Sequence, residues 1–204
     1  MTDSPESTGR RRPLPIERRA RALDAFIDLV LERGVHPRPE EVADRADVSI
    51  ASLYRYFTDL DELRNDAAAR LVERFPELFI ISRIGIGERH ERIASFTSSR
   101  LALHEALHPL QLLARSMCQQ DPSAQAHVDG VRLQLAEQVR RHFDPELRQL
   151  SPAHCDDVVA MVAVLTSVES WEQLRRSHER TPAQTRRAWN DAVDELLPPT
   201  VSTP

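Results

Sequence analysis

Apolar residues recur along this chain with a helical period, and polar or proline-bearing breaks cut that pattern into separate lengths. Leu23, Phe26, Ile27, Val30 and Leu31 fall at i, i+3, i+4, i+7 and i+8, one face of a helix predicted from about Ile16 to Arg33. Gly34 follows the last periodic residue and suits a left-handed stop. Pro39 fits the first position of a second helix, whose positive end Glu40 and Glu41 complement. That helix reaches only Arg45 or Ala46, because Asp47-Val48-Ser49 breaks the period. Aspartate tolerates the left-handed conformation of a tight turn, and Ser49 is a good N-cap for a helix running through Phe57. Val42, Ala46, Val48, Leu53 and Phe57 supply a small core between the two, which is the helix-turn-helix plan.

Thr58 or Asp59 then caps a helix in which Leu63, Ala67, Leu71, Val72 and Phe75 repeat, and Pro76 ends or kinks it. Residues 80–88, with Gly85 and Gly87, read as a loop. Further helices are predicted over 89–106, 109–119, 122–143, 152–178 and 182–197. Asp121-Pro122, Ser151-Pro152 and Thr181-Pro182 each set a polar cap before a proline. The expected fold class is all-α, with a three-helix helix-turn-helix domain over 15–60 and a helical domain over 61–198. Residues 1–14 form a disordered basic arm in this reading, and 199–204 a disordered tail.

Composition changes that picture at three points. With 41% hydrophobic residues over 204 positions the chain can bury one large core or two small ones, and its 5 glycines and sparse β-branched runs favour helices. A formal net charge of −5 argues against a nucleic-acid partner until the distribution is read: Arg10, Arg11, Arg12, Arg18, Arg19 and Arg21 crowd one end, with Glu17 the only acid among them. Every Lys+Arg position is arginine. No apolar run approaches the roughly 18–20 residues of a membrane span, and the first residues lack the apolar centre of a signal peptide. A cytoplasmic protein without membrane association is expected, with Cys118 and Cys155 as small buried side chains and no disulfide.

The second short helix carries the chemistry. A turn that enters a major groove wants small or hydrogen-bonding side chains, and Ser49, Ile50, Ala51 and Ser52 meet that need. Tyr54, Arg55 and Tyr56 add groups that reach phosphates or base edges, and Arg55 could pair with a guanine. The stretch VADRADVSIASLYRYFTDLDEL closely resembles the helix-turn-helix signature of TetR-family repressors, and the likeness covers roughly residues 16–64. VESWEQLRR and TPAQTRRAWNDAVDELL echo the family's last two helices more weakly. Three positions depart from the pattern. Asp47 replaces the turn glycine, Arg38 stands where a capping Thr or Ser commonly touches phosphate, and Leu60 stands where a lysine usually reaches the backbone. Arg38 could contact phosphate itself, and the Arg10–Arg12 arm suits minor-groove or phosphate contact.

The resemblance implies a homodimer on a pseudopalindromic double-stranded operator, probed by an unidentified small-molecule effector held in a C-terminal ligand-binding and dimerisation domain. Phe96, His104, Met117, His127, Met161 and Trp171 are the candidate pocket residues. The two C-terminal helices are the candidate dimer interface, through Val162, Leu165, Trp171, Trp189, Val193 and Leu196. No metal or other cofactor is expected: His104 and His108 are spaced i, i+4, but Pro109 follows and no HExxH or CxxC accompanies them. His154-Cys155-Asp156-Asp157 assembles no triad, because neighbours on a helix point apart, and no enzyme motif stands elsewhere. The competing reading is a dimeric small-molecule-binding module that has lost DNA binding, motivated by Leu60 and the acidic total charge.

Overall fold

The computed structural model describes residues 15–119 and 121–199, so the arginines of the N-terminal arm, Arg10, Arg11 and Arg12, lie outside the described residues. Among the described residues there are ten α-helices and no strand. The first four are α1 (Pro15–Arg33), α2 (Pro39–Ala46), α3 (Ile50–Tyr56) and α4 (Leu60–Arg74). A single 3₁₀ turn at Pro76–Leu78 and a loop lead to α5 (Arg89–Met117) and α6 (Pro122–His142). The short α7 (Asp144–Leu147) precedes α8 (Pro152–Leu165), α9 (Val168–Glu172) and α10 (Pro182–Leu196). No helix is long and apolar enough to cross a membrane.

Local chemistry explains most of the boundaries. Gly34 is left-handed at φ 69°, as a residue without Cβ readily is. Asp121, Ser151 and Thr181 each accept a backbone N–H of the helix they open, from Ser123, His154 and Gln184 respectively.

Two boundaries depart from the periodic reading. The break expected at Pro109 does not occur, and α5 runs 29 residues straight through it. Proline forfeits its own bond to the carbonyl four residues back, at a cost of about 3 kcal/mol. Here Leu107, His108 and Leu110 are buried on both sides of it, so packing holds the helix together. The side chain of Glu105 also accepts from Trp171 Nε1 at 3.1 Å and Arg175 Nε at 2.7 Å. Conversely, the helix expected over 152–178 is broken. Thr166 turns its hydroxyl back onto the Val162 carbonyl at 2.8 Å, and Ser167 starts α9 by accepting from the Ser170 amide. α9 then loosens into a π turn at Gln173–Ser177.

Two cores result. One joins α1–α4 to the middle of α5 through Leu103, Leu107 and Leu110; the other joins α5, α6, α8 and α10 through Phe96, Val139, Phe143, Val162 and Val193. The first core therefore continues past residue 60, and α4 belongs to it through Leu63 and Ala67. Ion pairs fasten α4 to α1 along its length: Arg70 to Asp24 at 3.1 Å, Arg74 to Asp28 at 2.6 Å, and Arg19 to Asp66.

The residues expected at a dimer interface need correction. Val162, Trp171, Trp189 and Val193 are buried inside their own subunit, Trp189 with 1% of its surface exposed. The apolar stripe of α10 is covered by α5 and α8 and that of α8 by α6 and α10, which leaves only Leu165 and Leu196 of the six partly exposed. The apolar side chains that α8 turns outward are instead Met161 at 53% and Val164 at 65% exposed.

Candidate nucleic-acid interface and internal cavity

α2 and α3 meet across the turn Asp47-Val48-Ser49. Asp47 is left-handed at φ 55° and its amide closes on the Ala43 and Asp44 carbonyls, so aspartate accepts the conformation that glycine would take without strain. Val48 packs against the first core, and Leu53 and Phe57 enter it, fixing which side of α3 faces out. Arg38 sits at the N-cap of α2 without a side-chain cap; the Glu41 carboxylate accepts its amide at 2.7 Å, which helps to hold that carboxyl below its usual range. The Arg38 side chain is left exposed. Leu60 is half-buried against the first core, an apolar contact where the resembled pattern has a lysine.

The outer side of α3 carries an ordered polar row. The Ser49 hydroxyl donates to Ser52 Oγ at 2.9 Å, and Arg55 Nη2 donates to the same oxygen at 3.1 Å. Ser49 also caps the helix by accepting the Ser52 amide at 3.2 Å. Ile50, Ala51 and Arg55 are exposed, and Tyr54 is 54% exposed. Tyr56 differs: it is half-buried against the core, with the Arg55 guanidinium 5.8 Å from its ring centre. Of the expected contact residues the structure thus brings Ser49–Arg55 onto one exposed edge, sets Arg38 at the start of α2, and turns the Tyr56 ring inward.

Below this unit lies a cavity of about 570 Å³ between α1, α4, α5, α6 and the α8–α9 break. Its walls are chiefly leucine and valine, and they include Phe26 of α1 with Ala67 and Leu71 of α4. Of the candidate pocket residues, His104, Met117 and His127 line it and Phe96, Met161 and Trp171 do not. Phe96 is wholly buried in the second core, edge-on to Phe143 at 5.2 Å. Trp171 lies against His108 at 4.5 Å, and Met161 faces outward. Phe96 shares its stripe of α5 with the wall residues Arg100 and Leu103 but lies a turn nearer the helix start, inside the second core, and Met161 is an exposed side chain of α8.

The polar groups of the wall are mostly occupied. His104 Nε2 donates to the Thr166 carbonyl at 3.0 Å, while Nδ1 faces the Gln111 amide at 3.2 Å. Burial holds its pKa below the ordinary histidine value, which favours the neutral ring. Arg64 pairs with Asp61 at 2.6 Å, Arg115 with Glu172 at 3.0 Å and Arg132 with Glu169 at 2.7 Å. Arg100 is the wall residue that the sequence reading passed over. It is 2% exposed, donates from Nη2 to the Leu135 carbonyl at 3.0 Å, and lies 4.8 Å above the Phe96 ring. Burial alone pushes its pKa down to about 10. Its signal was there: Arg100 stands in phase with Phe96, Leu103 and Leu107, a charge on an apolar stripe. Among the described residues no group of three or more His, Cys, Asp or Glu could hold a metal ion.

No family model matches the chain. Over 118 residues it is 31% identical to the HTH-type transcriptional repressor KstR of Mycolicibacterium smegmatis, covering 56% of this chain and 57% of that protein. The chain thus spans little more than half the length of this curated relative. Among solved structures, a TetR-family transcriptional regulator from Streptomyces coelicolor matches with a TM-score of 0.70 at 21% identity, covering 91% of this chain and 80% of that one. A transcriptional regulator from Rhodococcus sp. Rha1 matches at 0.66 and 19%, covering 87% of this chain and 95% of that one. Each of these is named as a regulator or repressor, and the structural likeness is one of fold.

Proposed function

We propose that this chain, which has the fold of the TetR-family transcriptional regulators, is itself a DNA-binding regulator of that kind. It works as a dimer that seats α3 of each subunit in a major groove of a pseudopalindromic operator, with half-sites about one helical turn, roughly 34 Å, apart. Repression is the action named for the KstR relative and the one assigned here. The observation that carries this reading is the outer edge of α3. Ser49, Ser52 and Arg55 form one hydrogen-bonded row beside an exposed Tyr54, while the opposite side of the helix is anchored in the core. Such an edge offers donors and acceptors to bases and phosphates at little ordering cost.

The subunits pair through the outward sides of α8 and α10, where Met161 supplies apolar surface beside Val164 at the edge of the cavity. An organic ligand in the cavity touches Phe26, Ala67 and Leu71, which belong to the core that holds α3 in place. Differential contact with two positions of α4 is what lets such a ligand change the spacing of the reading helices. Selection of bound sequences from a random duplex pool, at near-physiological salt, tests the whole. Recovery of one pseudopalindromic motif is expected. Folded, dimeric protein that enriches nothing overturns DNA recognition and leaves a dimeric small-molecule-binding module.

A further inference from the structure

The cavity's charge is lopsided. Arg64, Arg100, Arg115 and Arg132 line it, against Glu169 as its carboxylate. Glu169 is engaged by Arg132, and Arg64 and Arg115 have carboxylates of their own outside the cavity. Arg100 alone of the four has no acidic partner among the described residues, and its Nη1 is buried without a hydrogen-bond partner there. A buried charge left unpaired is costly, and a buried donor without an acceptor adds to that cost.

Resting on the reading of the cavity as an effector site, we infer that it takes an organic monoanion: an apolar body ending in a carboxylate that pairs with Arg100 Nη1. Of the four wall arginines Arg100 alone lacks a carboxylate among the described residues. With Nη2 committed to the Leu135 carbonyl, its Nη1, enclosed in the resting fold, is the nitrogen that a turn of the guanidinium brings to a ligand. His104 adds no second cation, for its Nε2–H is spent on Thr166 and burial keeps the ring neutral. That inventory fits a single negative charge better than a phosphate dianion. It gives a cationic ligand no free partner, because Glu169 is taken. Leu103, Leu107, Val131 and Leu135 surround the remaining volume with hydrocarbon. At about 570 Å³ the space falls within the roughly 300–1,000 Å³ that houses drug-sized ligands.

The test is calorimetric titration of the full chain, without DNA, with dodecanoate and naphthaleneacetate, each against its methyl ester. At least one carboxylate is expected to bind at least about 100-fold tighter than its ester, since a buried polar group left unpaired strongly rejects the analogue that cannot pair it. Arg100→Met removes the unpaired charge at similar volume, so it is expected to melt at or above the parent's temperature. It should lose that preference while binding the esters as the parent does. Arg100→Lys keeps the charge without the planar fork and should retain the preference at about 10-fold weaker affinity. Esters that bind as tightly as the acids, no binding of either acid up to about 1 mM (weaker than roughly −4 kcal/mol), or an unchanged preference in Arg100→Met would each overturn the assignment. Operator selection separates this from the broader reading. A parent that enriches an operator but ignores the carboxylate sinks the anion alone, and one that binds the anion but enriches no DNA sinks the regulator alone.

Discussion

The α1–α3 head and the helical body behind it, α5–α10, bury different things. The core that α1–α3 contribute is made of Ala, Leu, Ile, Val and Phe, and the charges of these helices sit in exposed or half-buried pairs such as Arg45–Glu32 at 2.8 Å, with the buried Nε of Arg21 as an exception. Every buried polar or charged residue among those described lies between Arg92 and Thr185. Arg92 and Glu146 form an ion pair inside the body, with Glu146 wholly enclosed, yet Arg92 Nε and Glu146 Oε2 have no partner. His142, also enclosed, accepts the Gly85 amide and contacts the Arg92 carbonyl at 2.9 Å, tying the 80–88 loop to the same cluster. An apolar core specifies one shape at low risk. Desolvated charges raise the energy of the resting arrangement and leave it open to a partner that satisfies them. Under the proposed function, the contrast is between a part that stays rigid to read DNA and a part that responds to a ligand.

The largest effect expected from this contrast is at Glu146. Glu146→Gln leaves Arg92 buried without its counter-charge and should cost about 3–5 kcal/mol in chemical denaturation. Removing Glu32 from its exposed pair in the head should be barely measurable by comparison. Equal losses at the two sites would erase the distinction. Next, Tyr54→Ala combined with Arg55→Ala should weaken operator binding by about 100-fold, near 2.7 kcal/mol, in a fluorescence-anisotropy titration. Helicity and dimerisation should not change, because both side chains are exposed. A double variant that binds like the parent would show that the reading helix lies elsewhere. Ser49→Ala should remove about 1 kcal/mol by uncapping α3, together with the anchor of the Ser52–Arg55 row.

The smallest effect is a pH dependence of the body. Burial lowers the pKa of His104 and of His142 in the fold, so both are held neutral. The unfolded chain takes up protons at those rings near the ordinary value of about 6.5. Their contribution is therefore complete above that pH and is lost as pH falls through the depressed folded values. The melting temperature should drop between about pH 7 and about pH 5, and His104→Gln should flatten the drop. A slope unaffected by the substitution would remove His104 from the account.

Sequence periodicity and local caps carry the head almost completely. Gly34, Asp47, Ser49 and Asp59 act within a few residues of themselves, and the turn they make is the turn their neighbours announce. The body was less legible for a physical reason. Whether α5 survives Pro109, or a long apolar helix breaks at Thr166, depends on groups far away in sequence, including the contact from His104 to the Thr166 carbonyl. The same limit misplaced Trp189 and Val193. An apolar stripe states that a face is covered and leaves open whether its own subunit or a second copy covers it. Arg100 was visible as a charge in an apolar phase, but only its unpaired nitrogen beside a cavity gives that oddity a meaning.

The first core runs without interruption from Ala22 through Leu63 and Ala67 to Leu110, and this has a practical consequence. The reading helices share this core with the α4 and α5 parts of the cavity wall, so these should denature together in one cooperative step. A compound held in the body at about 100 times its Kd adds near 2.7 kcal/mol to that single transition. The heat resistance of the α1–α3 end becomes a detector for chemistry some turns of helix away, and a compound library can be screened by melting alone, before any operator is known.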